Sequence, residues 1–267
     1  MLKIKYYLKN YLEKFPNLIN FFLRNLNFYY IFLPFEKDYK ALEIIFSKKI
    51  NKSGDIIDVG ANHGQSSLSF RKLGFKSNNI YLFEPNRLLI NYIKNINDTK
   101  FHIFNFGLGH KKEKVYLYKP LLNNITIDSL SSNNLTLLKK QIKTQFPNKE
   151  KYISYVKEKI QLLPFDSLKL KIEPIIIKID VEGNEFHVVK GMFKTIKKFL
   201  PIIILEYNYS NYPKIYKLLA NYYNTYFYSL DLKKLLKFNI QNVKKIFNEE
   251  FYDYKKPRNI IFIKKLK

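Results

Sequence analysis

Between residues 55 and 206 short apolar runs alternate with helical patterns, and that alternation constrains the fold more than any other feature of the sequence. The runs are Ile56–Val59, Ile80–Phe83, Phe101–Phe106, Ile175–Ile179 and Ile202–Leu205. They are continuous rather than alternating, as strands covered on both faces are. Ser66–Leu73, Arg87–Ile96 and Glu185–Phe199 between them carry helical patterns. Strands and helices in this order predict a doubly wound, mostly parallel α/β sheet. Right-handed crossovers then bring the C-terminal strand ends to one edge, where ligands bind.

Val115–Tyr118 and Gln161–Leu163 read as further strands, and Ile260–Ile263, after Pro257, as a last antiparallel one. Residues 120–160 form a polar insert broken by Pro147. A connection of that length is expected to have structure and a task, such as a lid. Residues 1–40 are expected to be a helical extension of a single domain that spans 41–267. Leu8, Leu12, Phe15, Ile19, Phe22, Leu26, Tyr29 and Leu33 recur at helical spacing, and Pro16 divides the stretch into two helices. Arg24 and Asn17, Asn20, Asn25 and Asn27 interrupt every window of about 20 residues, so no transmembrane span is expected. No signal-peptide cleavage pattern follows. A cytoplasmic protein is expected, its basic, aromatic N-terminal helices either packed on the domain or resting on the inner membrane surface.

The net charge of +25 suggests nucleic acid at first sight, but 43 of the 47 basic residues are Lys and only four are Arg. Base and phosphate recognition leans on bidentate Arg, whereas Lys, Asn, Ile, Phe and Tyr together are what an A/T-rich coding bias produces. No nucleic-acid partner is expected. With no cysteine, a disulfide, a thiolate metal site and a cysteine nucleophile are all excluded. His63, His102, His110 and His187 lack the spacing of a metal motif.

Three motifs carry chemistry. The first is Asp58-Val-Gly60-Ala-Asn62-His-Gly64, a strand that runs into a turn and then a helix. Counting from Gly60, a dinucleotide fingerprint would need glycines where Asn62 and Gln65 stand, so a pyrophosphate is not expected there. The second is Phe83-Glu84-Pro85-Asn86 at the next strand end. Glu84 can accept hydrogen bonds from two ribose hydroxyls, or it caps the following helix. A nucleoside without a pyrophosphate fits both motifs. The third is Lys178-Ile-Asp180-Val-Glu182-Gly183-Asn-Glu185, three carboxylates within six residues at the ligand-binding edge. Such a cluster is costly to bury unless it meets a cation, a substrate or protein donors.

With Leu108-Gly109, Phe165-Asp166-Ser167-Leu168 and Val189-Lys190-Gly191, these motifs resemble, in order from about residue 55 to 207, the FkbM-type methyltransferases. The Lys-Ile-Asp-Val-Glu-Gly segment is the most distinctive. The resemblance implies a seven-stranded, Rossmann-like methyltransferase sheet that binds S-adenosylmethionine. Asp58, Gly60, Asn62 and Gly64 would serve the methionine side of the cofactor, Glu84 the ribose, and Asn105 and Phe106 the adenine. It also implies O-methylation of a sugar, glycan or secondary metabolite hydroxyl, as in polysaccharide biosynthesis. Asp180, Glu182 and Glu206 would act as base or orient the acceptor. No metal is assigned; magnesium is the alternative, because Asp180, Glu182, Glu206 and Asn208 resemble in position the site of catechol-type O-methyltransferases. The competing functions are a binding subunit without turnover and a nucleic-acid methyltransferase. Against the latter, Asp180-Val-Glu-Gly stands where amino-methylating enzymes carry an Asn-Pro-Pro-Tyr-like motif.

Overall fold

The computed structural model describes residues 37–47, 52–122, 125–126, 130–145, 150–208, 210–238 and 257–265. The expected helices within residues 1–36 lie outside them. The strands in chain order are β1 (Asp55–Val59), β2 (Ile80–Phe83), β3 (Phe101–Phe104), β4 (Gly107–Leu108), β5 (Glu113–Leu122), β6 (Ile125–Thr126), β7 (Ile153–Leu163), β8 (Pro174–Ile179), β9 (Ile202–Glu206), β10 (Tyr223–Ser229), β11 (Lys234–Lys237) and β12 (Asn259–Lys264). The helices are α1 (Ala41–Ser47), α2 (Gln65–Lys72), α3 (Arg87–Lys94), α4 (Leu135–Gln145), α5 (Glu185–Gly191), α6 (Phe193–Phe199) and α7 (Tyr212–Leu219). Among the described residues no helix is long and apolar enough to cross a membrane.

The main sheet has the order β11-β10-β12-β9-β8-β1-β2-β3. β1 pairs in parallel with β2 on one side and β8 on the other, so the chain winds outward in both directions from β1. That places the topological switch point between β1 and β8, where Val59 lies opposite Ile179. β12 inserts antiparallel between β9 and β10, as expected from its position after Pro257. Successive side chains of the central strands fall on opposite faces. Ile57, Val59, Ile177, Ile179, Ile203 and Leu205 pack with α5, α6 and α7. Ile56, Ile80, Leu82, Ile176 and Ile204 pack with α1, α2 and α3. Burial on both faces is why these strands read as unbroken apolar runs.

Three expectations are corrected. The sheet has eight strands, not seven, because β11 pairs antiparallel with the outer edge of β10. The helical pattern over 185–199 is two helices; Met192 leaves helical geometry at φ −121°. The third strand stops at Phe104, and Asn105 and Phe106 lie in the turn that follows. Much of the 120–160 insert is regular. β5 and β7 pair antiparallel from Glu113↔Leu162 to Leu122↔Ile153, in a second sheet ordered β4-β7-β5-β6. α4 packs Leu138 and Ile142 against Leu130 and Ile153 in a small core of its own.

The small sheet is seated by backbone contact. A Cβ on Gly191, the last residue of α5, would overlap the Gly109 carbonyl, whereas one on Gly109 would meet Leu162 at an ordinary 3.5 Å. Gly191→Ala is therefore expected to lower unfolding stability by about 1–3 kcal/mol. Gly109→Ala is expected to cost much less, and urea unfolding midpoints of the two variants check the difference.

Candidate active site

The switch point is held together by one buried ammonium. Lys178, 2 % exposed on β8, donates to the Gly60 carbonyl at 2.9 Å and lies 3.4 Å from Asp58 Oδ1 and 3.5 Å from Asp180 Oδ2. Burial works against its charge, but Asp180 and Asp58 outweigh that and hold its pKa above the ordinary lysine value. Asp58 is completely buried beneath the turn and also accepts from Ser67 Oγ of α2 at 2.7 Å. The turn itself is tight. Gly60 has φ +73°, and a Cβ there would overlap the Asp180 carbonyl. Asn62 is left-handed at φ +51°, a region Asn tolerates better than most residues.

Glu84 ends β2 only 6 % exposed, and its two oxygens accept the backbone amides of Asn62 (2.9 Å) and Asn86 (2.8 Å). It thereby ties the glycine turn to the second loop. Burial raises its pKa to about 7, against the pull of those amides. Capping of α3 falls to Asn86, whose side chain accepts from the Leu88 amide. Each Glu84 oxygen keeps a second lone pair for a ligand. Asn105 is exposed, and its side-chain amide pins the same loop through the Glu84 and Pro85 carbonyls. Phe106 stands 5.7 Å from Phe83, ring centre to ring centre.

Beyond β8, Glu182 and Gly183 are consecutively left-handed, at φ +51° and +100°. This reversal lets Asp180, Glu182 and, from the end of β9, Glu206 converge, with one oxygen of each within 4.8 Å of the others. Burial, then the charge of Asp180, pushes Glu182 up to about 8. Burial, then Asp180, Glu182 and Glu185, pushes Glu206 well above the carboxylate range. The set consists only of oxygens, which suits a proton-accepting cluster or a hard divalent cation. Glu185 faces inward but is occupied; it accepts the Gly183 amide at 2.8 Å and the Asn211 side chain at 2.6 Å. Asn208 Oδ1 is taken by the Ser210 amide and hydroxyl and the Asn211 amide.

Lys178 heads the third motif, but the sequence assigns it no role, and Gln141 and Asn211 are not marked by any motif. A lone lysine in an Ile-rich run is the one signal that could have marked Lys178. Gln141, on α4, donates to Glu182 Oε2 at 2.8 Å, and Ser132 Oγ donates to the Glu182 carbonyl at 3.1 Å. The insert thus reaches the carboxylates.

The eight-stranded winding, the glycine turn at its switch point and the acids beyond β2 and β8 describe a mixed α/β fold of the methyltransferase kind. The methyltransferase FkbM domain matches residues 58–230, and the chain belongs to that family. The crystal structure of an FkbM methyltransferase from Methylobacillus flagellatus KT is similar over 85 % of this chain, at 16 % identity and a TM-score of 0.50. The match covers 48 % of that protein, so this chain spans about half its length. A precorrin-6y C5,15-methyltransferase from Geobacter metallireducens GS-15 matches 84 % of this chain and 87 % of its own, at 10 % identity and a TM-score of 0.39. No curated protein matches the chain.

Glu84 makes stability depend on pH. Its folded-state pKa lies near 7, above the model-compound 4.5, so the native state holds a proton that the unfolded chain has released. Its stabilising contribution is complete below about pH 4.5 and is lost as pH rises through about 7. Urea midpoints between pH 5 and 8 should therefore fall more steeply in the wild type than in Glu84→Gln. The difference between the two proteins is the measurement.

Proposed function

We propose that this protein is an S-adenosylmethionine-dependent O-methyltransferase that acts on a hydroxyl of a sugar, glycan or secondary metabolite. The observation that carries the reading is Glu84, a buried carboxylate that accepts one backbone amide from the glycine turn and one from the loop after β2, with a second lone pair on each oxygen. That pair of acceptors fits two ribose hydroxyls, which donate, and offers nothing to a pyrophosphate. Gly60, Asn62 and Gly64 shape the turn for the methionine side, and Asn105 and Phe106 flank the adenine. Asp58 acts from beneath, through Lys178 and Ser67, without touching the cofactor.

The bound cofactor supplies an activated sulfonium methyl, for which the protein provides placement and a proton acceptor. Asp180, ion-paired with Lys178, takes the proton of the acceptor hydroxyl as its oxygen attacks in line. Glu182 and Glu206 complete the rim and orient the acceptor. Acid–base work by this rim needs no metal.

Two experiments test this reading. S-adenosylhomocysteine should bind, and NAD should bind less tightly. Glu84→Gln should weaken S-adenosylhomocysteine by about 1.5–3 kcal/mol, or about 10- to 150-fold, in calorimetric titration. Wild-type affinity should rise with pH through about 7 as Glu84 ionises, a dependence the variant lacks. An unchanged affinity would reduce Glu84 to a clamp for two amides.

Asp180→Asn keeps the shape but loses basicity. Turnover should fall by about 10²- to 10⁴-fold while S-adenosylhomocysteine still binds. Wild-type turnover should be indifferent to chelator; loss on chelation with rescue by Mg²⁺ would hand the carboxylates to a metal instead.

A further inference from the structure

We infer that Gln141 of the insert helix positions the methyl acceptor by binding a second hydroxyl beside the one that is methylated, which makes the acceptor a diol or polyol. The inference rests on the acceptor site proposed above. Gln141 is 9 % exposed; its Nε2 donates to Glu182, and its Oε1 is buried without a hydrogen-bond partner. Turning the amide over does not remove the mismatch. Whichever end meets Glu182, the other is left alone, and an unmatched buried polar group is costly.

The ligand that relieves this site in either orientation must both donate and accept. A hydroxyl does so, whereas a metal ion takes only the oxygen and a hydrocarbon takes neither. The place fits as well. The carboxamide touches Glu182, whose carboxyl converges with Asp180 and Glu206 within 4.8 Å, so the amide lies beside the rim proposed to receive the acceptor.

Gln141 is also held firmly. Its neighbours Leu138 and Ile142 are wholly buried in the small core on β7. Leu137 lies against Gly183, where an added Cβ would come within 2.7 Å of Leu137 Cδ2. Ser132 fixes the start of the same segment to Glu182. A polar group on so rigid a support can discriminate between acceptors.

The test compares cis-1,2-cyclohexanediol with cyclohexanol, each titrated by NMR into protein saturated with S-adenosylhomocysteine. The wild type should bind the diol more tightly by about 2- to 12-fold, the worth of one neutral hydrogen bond. Gln141→Leu should bind the two probes alike, with its S-adenosylhomocysteine affinity unchanged; Gln141→Met gives the same comparison should leucine disturb folding. A purely structural role would weaken both probes together and leave their ratio intact. A wild type without diol preference, including one that binds neither probe, overturns the inference, as does a preference that survives both substitutions. Failure of S-adenosylhomocysteine to bind the wild type would instead overturn the cofactor reading, and this inference with it.

Discussion

The buried ammonium of Lys178 holds the centre of this fold. Asp58 and Lys178 are register partners on β1 and β8, so the strand pairing itself sets the anion and the cation side by side. An ammonium taken out of water persists only where partners surround it, and here they are two carboxylates and the Gly60 carbonyl. Removing the lysine would leave Asp58 as a buried unpaired charge. The glycine turn, the strand before it and the acid after β8 are therefore held as one unit.

The rest of the site is arranged around that unit. Gly60 has no side chain because the Asp180 backbone occupies the space, so the turn after β1 is packed directly against the loop after β8. Glu84 joins the turn to the loop after β2 from the other side. The turn after β1 and the loop after β8 are thus joined by a direct backbone contact, which fixes their relative placement. The insert then reaches Glu182 from outside the sheet, through a helix with its own small core.

The central strands, the position of the turn and the acids at the strand ends were legible because local chemistry encodes them. Ile175–Ile179 could only be a strand covered on both faces, and Asp180 had to follow at its C-terminal end. β10 and α7 were not legible. Aromatic residues throughout 207–229 blur the difference between a strand and a helical face. β11 is only four residues long and takes its conformation from its pairing with β10. The break at Met192 was hidden as well, since Gly191 is required by the carbonyl of Gly109, a residue 82 positions earlier in the chain.

By itself the sequence determined the central strands, where the chain must turn after them and which side chains carry charge, because these follow from apolar runs, glycine and proline placement and residue type. Only the tertiary structure decided what those charges do. It made Asp58 a partner of Lys178, gave the capping of α3 to Asn86 and set the two Glu84 oxygens on the amides of Asn62 and Asn86. It also brought Gln141 from the insert onto Glu182 across 41 residues of chain. Burial and long-range pairing set the charge state and the partners of a carboxyl group, and neither is written in its sequence neighbours.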